Sequence, residues 1–337
     1  MKSYKELLNE NARYSNLRQL TEDESAAMKK TLVAMYQDIA DLCVSKGMTL
    51  MLCGGSCLGA IRHQGFIPWD DDLDTCMPRA DYEKFKTLLV AGALGEKYEY
   101  MFPSKGKDAL CMFMKIYKKG TRCVEAGSEY TSFPKGLSID VFPLEGVSNN
   151  PLARKWTGYR ANVLRLCANM VYEASYPVSD ATRRLTKMSG LGGLMMTTRR
   201  VLGKILGLIK HRYWVNWYDA LVAHPEPSAL LSIPTGRKLY EGETMPREVF
   251  LPVRKASFEG LEVNVPGQTE KYLTNLYGEN YMQLPPVEKR ERHFIVDFDL
   301  SSESDAVRIG AYTSDKNTVV MGGCGSSQWH GLRMEDR

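Results

Sequence analysis

The chain has 337 residues, 44% of them apolar and 25% charged, which is the composition of a folded globular protein rather than a disordered one. Forty-four basic side chains against 40 acidic ones leave a net charge of +4, which disfavours a globally basic nucleic-acid binder. No run approaches the ~20 consecutive apolar residues of a membrane span, and residues 1–20 lack the apolar core of a signal peptide. A cytoplasmic protein of one large or two small domains is expected.

Taken in chain order, Met28, Leu32, Met35, Tyr36, Ile39, Leu42 and Cys43 step by three and four. They predict an amphipathic helix over 24–46 closed by Gly47. The apolar run 48–53 predicts a strand, Gly54-Gly55-Ser56 a turn, and 58–63 a second helix. A loop over 64–68 leads to Trp69-Asp70-Asp71-Asp72-Leu73-Asp74-Thr75-Cys76-Met77, whose latter part predicts a strand ending before Pro78. Helical spacing follows over 79–91, and further strands are expected at 110–117 and 137–142. This order implies a mixed α/β catalytic unit.

Residues 151–215 differ in character. They carry twelve Lys or Arg against Glu173 and Asp180 alone, so the rest of the chain is net acidic. Within them, 191–209 reads as a basic amphipathic helix. Mixed α/β composition returns over 235–299, with a helix at 269–277 and a stop at Pro285-Pro286. The layout expected is a catalytic core over 1–150, a basic helical insertion over 151–230, a C-terminal part of the catalytic unit over 231–300, and a tail over 301–337. The eight cysteines have no CxxC spacing and read as reduced, buried thiols. The five histidines show no HExxH spacing.

The chemistry is concentrated in the acids. On a strand Asp72 and Asp74 share one face, about 6.6 Å apart, and Asp70 has the same parity. Side-by-side carboxylates repel, and invite a proton or a cation. With no histidine or thiolate partner nearby, they select Mg²⁺ or Mn²⁺ over zinc. A solvated acidic turn is the plain alternative. Gly54-Gly55-Ser56, sixteen residues ahead of the acids, stands where a strand opens a helix, a place where backbone N–H groups receive phosphate. Asp140 is a lone acid in the apolar strand Leu137-Ser138-Ile139-Asp140-Val141-Phe142, where an unpaired charge costs several kcal/mol. It is the candidate third ligand, with a structural salt bridge as the alternative.

The stretch CGGSCLGAIRHQGFIPWDDDLDTCMPRADYEKF resembles the signature of the LicD family, which includes phosphocholine transferases and fukutin-related ribitol-phosphate transferases. Similarity continues in GLSIDVFPLEG, FEGLEVNVP, YLTNLYGENY and LPPVEKRERH, with Thr75 standing where an apolar residue is more usual. The resemblance implies an α+β, nucleotidyltransferase-like mixed sheet flanked by helices. It implies that Asp72, Asp74 and Asp140 bind metal and act in catalysis, with Asp70 beside them. Gly54, Gly55 and Ser56 are then expected to hold the donor phosphate, and Arg62, His63, Lys115 and His293 to contact substrate.

The activity so implied is transfer of a phospho-alcohol from a CDP-alcohol to a glycan or polyol-phosphate acceptor, with release of CMP. Two alternatives keep the same residues: a nucleotidyltransferase acting on a nucleoside triphosphate, and a non-catalytic nucleotide-binding module. For the basic segment, contact of 151–215 with an anionic membrane at the inner face of the cell membrane stands beside simple packing on the core.

Overall fold

The structure, a computed structural model, describes residues 20–104, 111–179, 182–183, 190–224, 228–286, 290 and 295–301. Helix α1 (Glu22–Ser45) opens the described chain with a capping box, in which the Thr21 hydroxyl accepts from Glu24 N–H and the Glu24 carboxylate accepts from Thr21 N–H. Gly47, at φ +63°, turns the chain out of it. Its buried stripe is Met28, Leu32, Met35, Tyr36, Ile39 and Cys43. At about 1.5–3 kcal/mol for each large apolar side chain, that burial outweighs the ~1 kcal/mol of the cap.

The expected strand over 48–53 shrinks to β1 (Met51–Leu52), and helix α2 (Gly54–His63) begins at the first glycine rather than after the serine. Gly54-Gly55-Ser56 is therefore the first turn of a helix. Strand β2 (Asp74–Pro78) runs directly into α3 (Arg79–Val90). Then come β3 (Tyr98–Met101), β4 (Met114–Lys118), β5 (Arg122–Glu125) and β6 (Ser138–Val147). The expected strands over 110–117 and 137–142 are shifted and, in β6, longer.

Among its described residues the basic segment is mainly helical: α4 (Pro151–Ser175), α5 (Gly190–Leu206) and α6 (His211–Val222). Asn150 caps α4 by accepting from Leu152 and Ala153 N–H. Strands β7 (Leu230–Ser232) and β8 (Met245–Pro246) return the chain to the sheet. A hairpin of β9 (Arg254–Phe258) and β10 (Leu261–Val265), helix α7 (Thr269–Tyr277) and β11 (Ile295–Asp299) complete the described chain.

The main sheet runs β1-β2-β6-β4-β3, with β7 and β8 added beyond the far end of β6, and the class is α+β, a mixed sheet flanked by helices. Among the described residues β2 and β6 alone pair in parallel, in the register Asp74↔Asp140 to Pro78↔Leu144. Strand β6 shows period-two burial at its start, with Ile139 and Val141 in the core and Ser138, Asp140 and Phe142 on the other face. Further along it is buried on both faces, where the sheet meets the helical segment.

That junction is held by one cation. Arg79, 6% exposed, donates to the fully buried Glu145 of β6 at 2.8 Å and to both oxygens of Asp219 of α6 at 2.8 and 3.0 Å. Glu145 also accepts from His224 N–H. Truncating Arg79 leaves a buried carboxylate unpaired, which costs about 3–5 kcal/mol. Urea unfolding of Arg79→Ala is expected to show that loss. Glu83→Ala, which removes the exposed partner on the same helix, is expected to cost at most about 1 kcal/mol.

Candidate functional site

Strand register builds the site. Asp74 is paired with Asp140 across the parallel β2–β6 ladder, and Asp140 with Lys115 across the antiparallel β6–β4 ladder. Partners in adjacent strands point to the same face, so two acids and one lysine form a row about 4.8 Å per step across the sheet. The Lys115 ammonium donates to both oxygens of Asp140 at 2.6 and 2.8 Å. Burial alone lowers the lysine's pKa, but Asp140 and then Glu125 raise it, and the net position is well above the ordinary lysine range. Asp74 is driven well above the usual carboxylate range, first by burial and then by Asp72, Asp140 and Asp70, with Lys115 opposing.

The backbone around the acids is fixed by hydroxyls. The buried Ser56 hydroxyl accepts from Asp74 N–H at 2.8 Å, and Cys53 N–H donates to the Asp74 carbonyl. Thr75, fully buried, donates from its hydroxyl to the Asp140 carbonyl at 2.8 Å, so its presence in place of an apolar residue has a structural use. Ser56 thus braces the acid strand through its hydroxyl.

The first turn of α2 lies against the acids. Gly54 has φ +52°, and a Cβ built there would stand 3.3 Å from Asp74 Oδ2. At Gly55 it would stand 3.0 Å from Asp70 Oδ2. Side-chain-free positions let the carboxylates approach the helix N-terminus, where the dipole favours negative charge. Cys53 supplies no side-chain cap, and Gly54 N–H donates to the Tyr272 hydroxyl of α7 at 3.0 Å. A small cleft of about 90 Å³ is lined by Asp71, Asp72, Lys115, Glu125, Ser138 and Asp140 among others. Asp72 precedes β2 by two residues and so shares Asp74's parity.

Arg62 and His63 sit at the far end of α2. The Arg62 guanidinium donates to the carbonyls of Tyr281 at 2.8 Å and Gln283 at 3.3 Å, and to His63 Nε2 at 3.0 Å. It ties the segment after α7 to the site. Burial and then Arg62 lower the His63 pKa. Trp69, the residue before the acids, has two cations near its ring, Arg290 at 4.2 Å and Arg62 at 5.9 Å from its centre. His293 falls outside the described residues.

Tyr272, Thr75 and Arg290 are the site residues that sequence reasoning missed. Thr75 alone left a signal, a hydroxyl in an apolar strand. Among the described residues no group of three or more His, Cys, Asp or Glu side chains is positioned, as it stands, to hold a metal ion. Lys115 already occupies both oxygens of Asp140. In kind, however, the set fits a hard divalent cation. Its donors are all carboxylate oxygens, and two of them overhang glycines at a helix N-terminus.

Residues 47–163 match the family model described as LicD/FKTN/FKRP, nucleotidyltransferase domain. The lipopolysaccharide cholinephosphotransferase LicD of Haemophilus influenzae is 26% identical over 266 residues, covering 75% of this chain and 89% of that protein. An uncharacterized protein of Rickettsia typhi is 32% identical over 89 residues, 26% of this chain and 29% of that one. The resemblance read from the acid and glycine motifs therefore holds, and it extends over most of the chain.

Removing the Ser56 hydroxyl leaves the Asp74 N–H without its acceptor. Ser56→Ala is expected to lose about 1–3 kcal/mol in a urea titration.

Proposed function

We propose that this chain, whose residues 47–163 form a LicD-type domain, is a transferase that moves a phospho-alcohol, phosphocholine first among them, from a CDP-alcohol to a hydroxyl of a cell-surface glycan. CMP is the leaving group. The observation that carries this reading is the in-register row of Asp74, Asp140 and Lys115 beside the first turn of α2. The choline-phosphate donor and the lipopolysaccharide-type acceptor follow the relative from Haemophilus influenzae, a lipopolysaccharide cholinephosphotransferase. A teichoic-type or other polyol-phosphate acceptor uses the same chemistry.

Phosphoryl-type transfer asks a protein mainly to position its reactants and neutralise charge. The N–H groups of the first turn of α2, around Gly55, face one end of the diphosphate. Lys115 supplies positive charge at the other, moving from Asp140 toward phosphate as the donor enters. Mg²⁺ or Mn²⁺, held by Asp72, Asp74 and Asp140 with Asp70 alongside, would offset the diphosphate charge and favour departure of CMP. The acceptor oxygen forms a bond to the phosphorus bearing the alcohol as the bond from that phosphorus to CMP breaks. Asp70 or Asp140 accepts the hydroxyl proton. The acceptor is read as lipid-linked and the protein as peripheral to the inner face of the membrane.

Incubation with CDP-choline, CDP-ribitol, CDP-glycerol and the four nucleoside triphosphates, with mass analysis of products, separates this reading from nucleotidyl transfer. Release of CMP from a CDP-alcohol is expected, and release of pyrophosphate from a triphosphate contradicts it. Asp74→Asn is expected to lower turnover by on the order of 10²- to 10³-fold while circular dichroism stays native. Chelation with EDTA is expected to abolish turnover and added Mg²⁺ to restore it; full activity in EDTA would remove the metal from the account.

A further inference from the structure

We infer that the outer face of α4, α5 and the start of α6 docks on an anionic membrane surface. This deepens the reading of a lipid-linked acceptor and rests on it for its purpose, but the surface itself is visible in the helices. On α4 the residues Leu152, Trp156, Tyr159, Val163 and Leu166 step by four and three, and every one is exposed. A stripe of that spacing ordinarily faces a core. Here the buried side of the helix is a different one, carrying Gly158, Ala161 and Ala168.

Met170 is the next step of the same stripe, and it lies beneath α5. Gly203 meets it so closely that an added Cβ would stand 2.0 Å from the Met170 carbonyl oxygen. Arg199 donates to both carboxylate oxygens of Glu173 at 2.8 and 2.5 Å, and Arg200 to the carbonyls of Glu173 and Tyr176. Helix α5 is thus attached through a glycine and its charged side. Its apolar side, Leu194, Val201, Leu202 and Ile205, faces water, and Leu208 just beyond is 88% exposed. This arrangement inverts that of an ordinary surface helix. Helix α5 thus covers the continuation of the α4 stripe and presents its own apolar side outward in its place.

Tyr213 and Trp217 of α6 extend it, and an open groove of about 550 Å³ lined by Tyr159, Val163, Leu164, Trp217 and Leu221 joins α4 to α6. Most of the exposed large apolar side chains among the described residues belong to this segment. Exposed apolar side chains concentrated in this way mark an interaction site.

Charge identifies what covers it. Exposed Lys155, Arg160, Lys204 and Lys210 stand among the apolar residues. Among the described residues the neighbouring acids are already engaged, Glu173 by Arg199, Glu241 by Arg154 and Asp219 by Arg79. Two copies placed face to face would oppose positive charge to positive charge. An anionic lipid surface instead complements it through the Lys and Arg near the headgroups, while the apolar stripe enters the acyl boundary and Trp and Tyr rings sit at headgroup depth. Among the described residues no helix is long and apolar enough to cross a membrane, so these helices lie on the surface.

The test is co-sedimentation of the full chain with vesicles of phosphatidylcholine alone and of phosphatidylcholine mixed with phosphatidylglycerol, at low and high salt, with no donor present. At least about tenfold stronger binding to the mixed vesicles is expected, weakened by salt and accompanied by a blue shift of tryptophan emission. Val201→Asp with Ile205→Asp, and separately Lys204→Glu with Lys210→Glu, are each expected to reduce that binding at least about fivefold. All four positions are exposed, and circular dichroism checks that the variants fold. Equal binding to both vesicles, or binding to neither, overturns the inference. So does a concentration-dependent dimer that Ile205→Asp dissociates in the absence of vesicle binding, which would assign the face to a second copy of the chain. Because no donor is present, the result stands apart from CDP-choline turnover.

Discussion

The arrangement of the site follows from placing two carboxylates next to each other in a parallel β-ladder. Asp74 and Asp140 are register partners, and neither can move away without unpairing β2 from β6. Like charges at that spacing are costly, and the protein offsets the cost with the Lys115 ammonium, the N-terminal turn of α2 and the two hydroxyls that fix the strand backbones. A site held this way is repulsive by construction in the absence of ligand. Under the proposed function, positive charge arriving from outside would relieve it and free the same lysine for an incoming phosphate.

The helical segment depends on the same sheet. Strand β6 carries Asp140 near its start and Glu145 further on, seen by Lys115 and Arg79 respectively. Through Arg79 the sheet reaches Asp219 on α6, so the helices that carry the basic, apolar face are tied by buried charge to the strand that carries the acids. The acid row and the buried anchor of the helical segment are therefore mounted on one strand.

Amphipathic helices with strong ends were the most legible part of the sequence. The three-and-four spacing and Gly47 placed α1 to within two residues of its start, and α7 matched its expected span, because the signals are local; the Thr21 capping box is what begins α1 at Glu22. Strand limits were less visible, because β4 and β6 are defined by partners far away in sequence. The start of α2 was misplaced for the same reason, since Gly54 N–H is satisfied by the Tyr272 hydroxyl, 218 residues further on. Motif residues named their own chemistry, but not their pairing. Nothing in the sequence put Lys115 on Asp140, or turned Arg62 toward the carbonyls of Tyr281 and Gln283. The amphipathic character of α5 was legible; that its charged side faces inward was not, because this depends on the close approach at Gly203.

The central claim is that the Asp74–Asp140 pair gathers a divalent cation with a cytidine diphosphate donor. Electron paramagnetic resonance of Mn²⁺ titrated into the protein with CDP-choline tests it most directly. The account predicts stoichiometric loss of the free Mn²⁺ signal in the wild-type chain and its return in folded Asp74→Asn. Equal Mn²⁺ binding by the two proteins, or none by either, would contradict it.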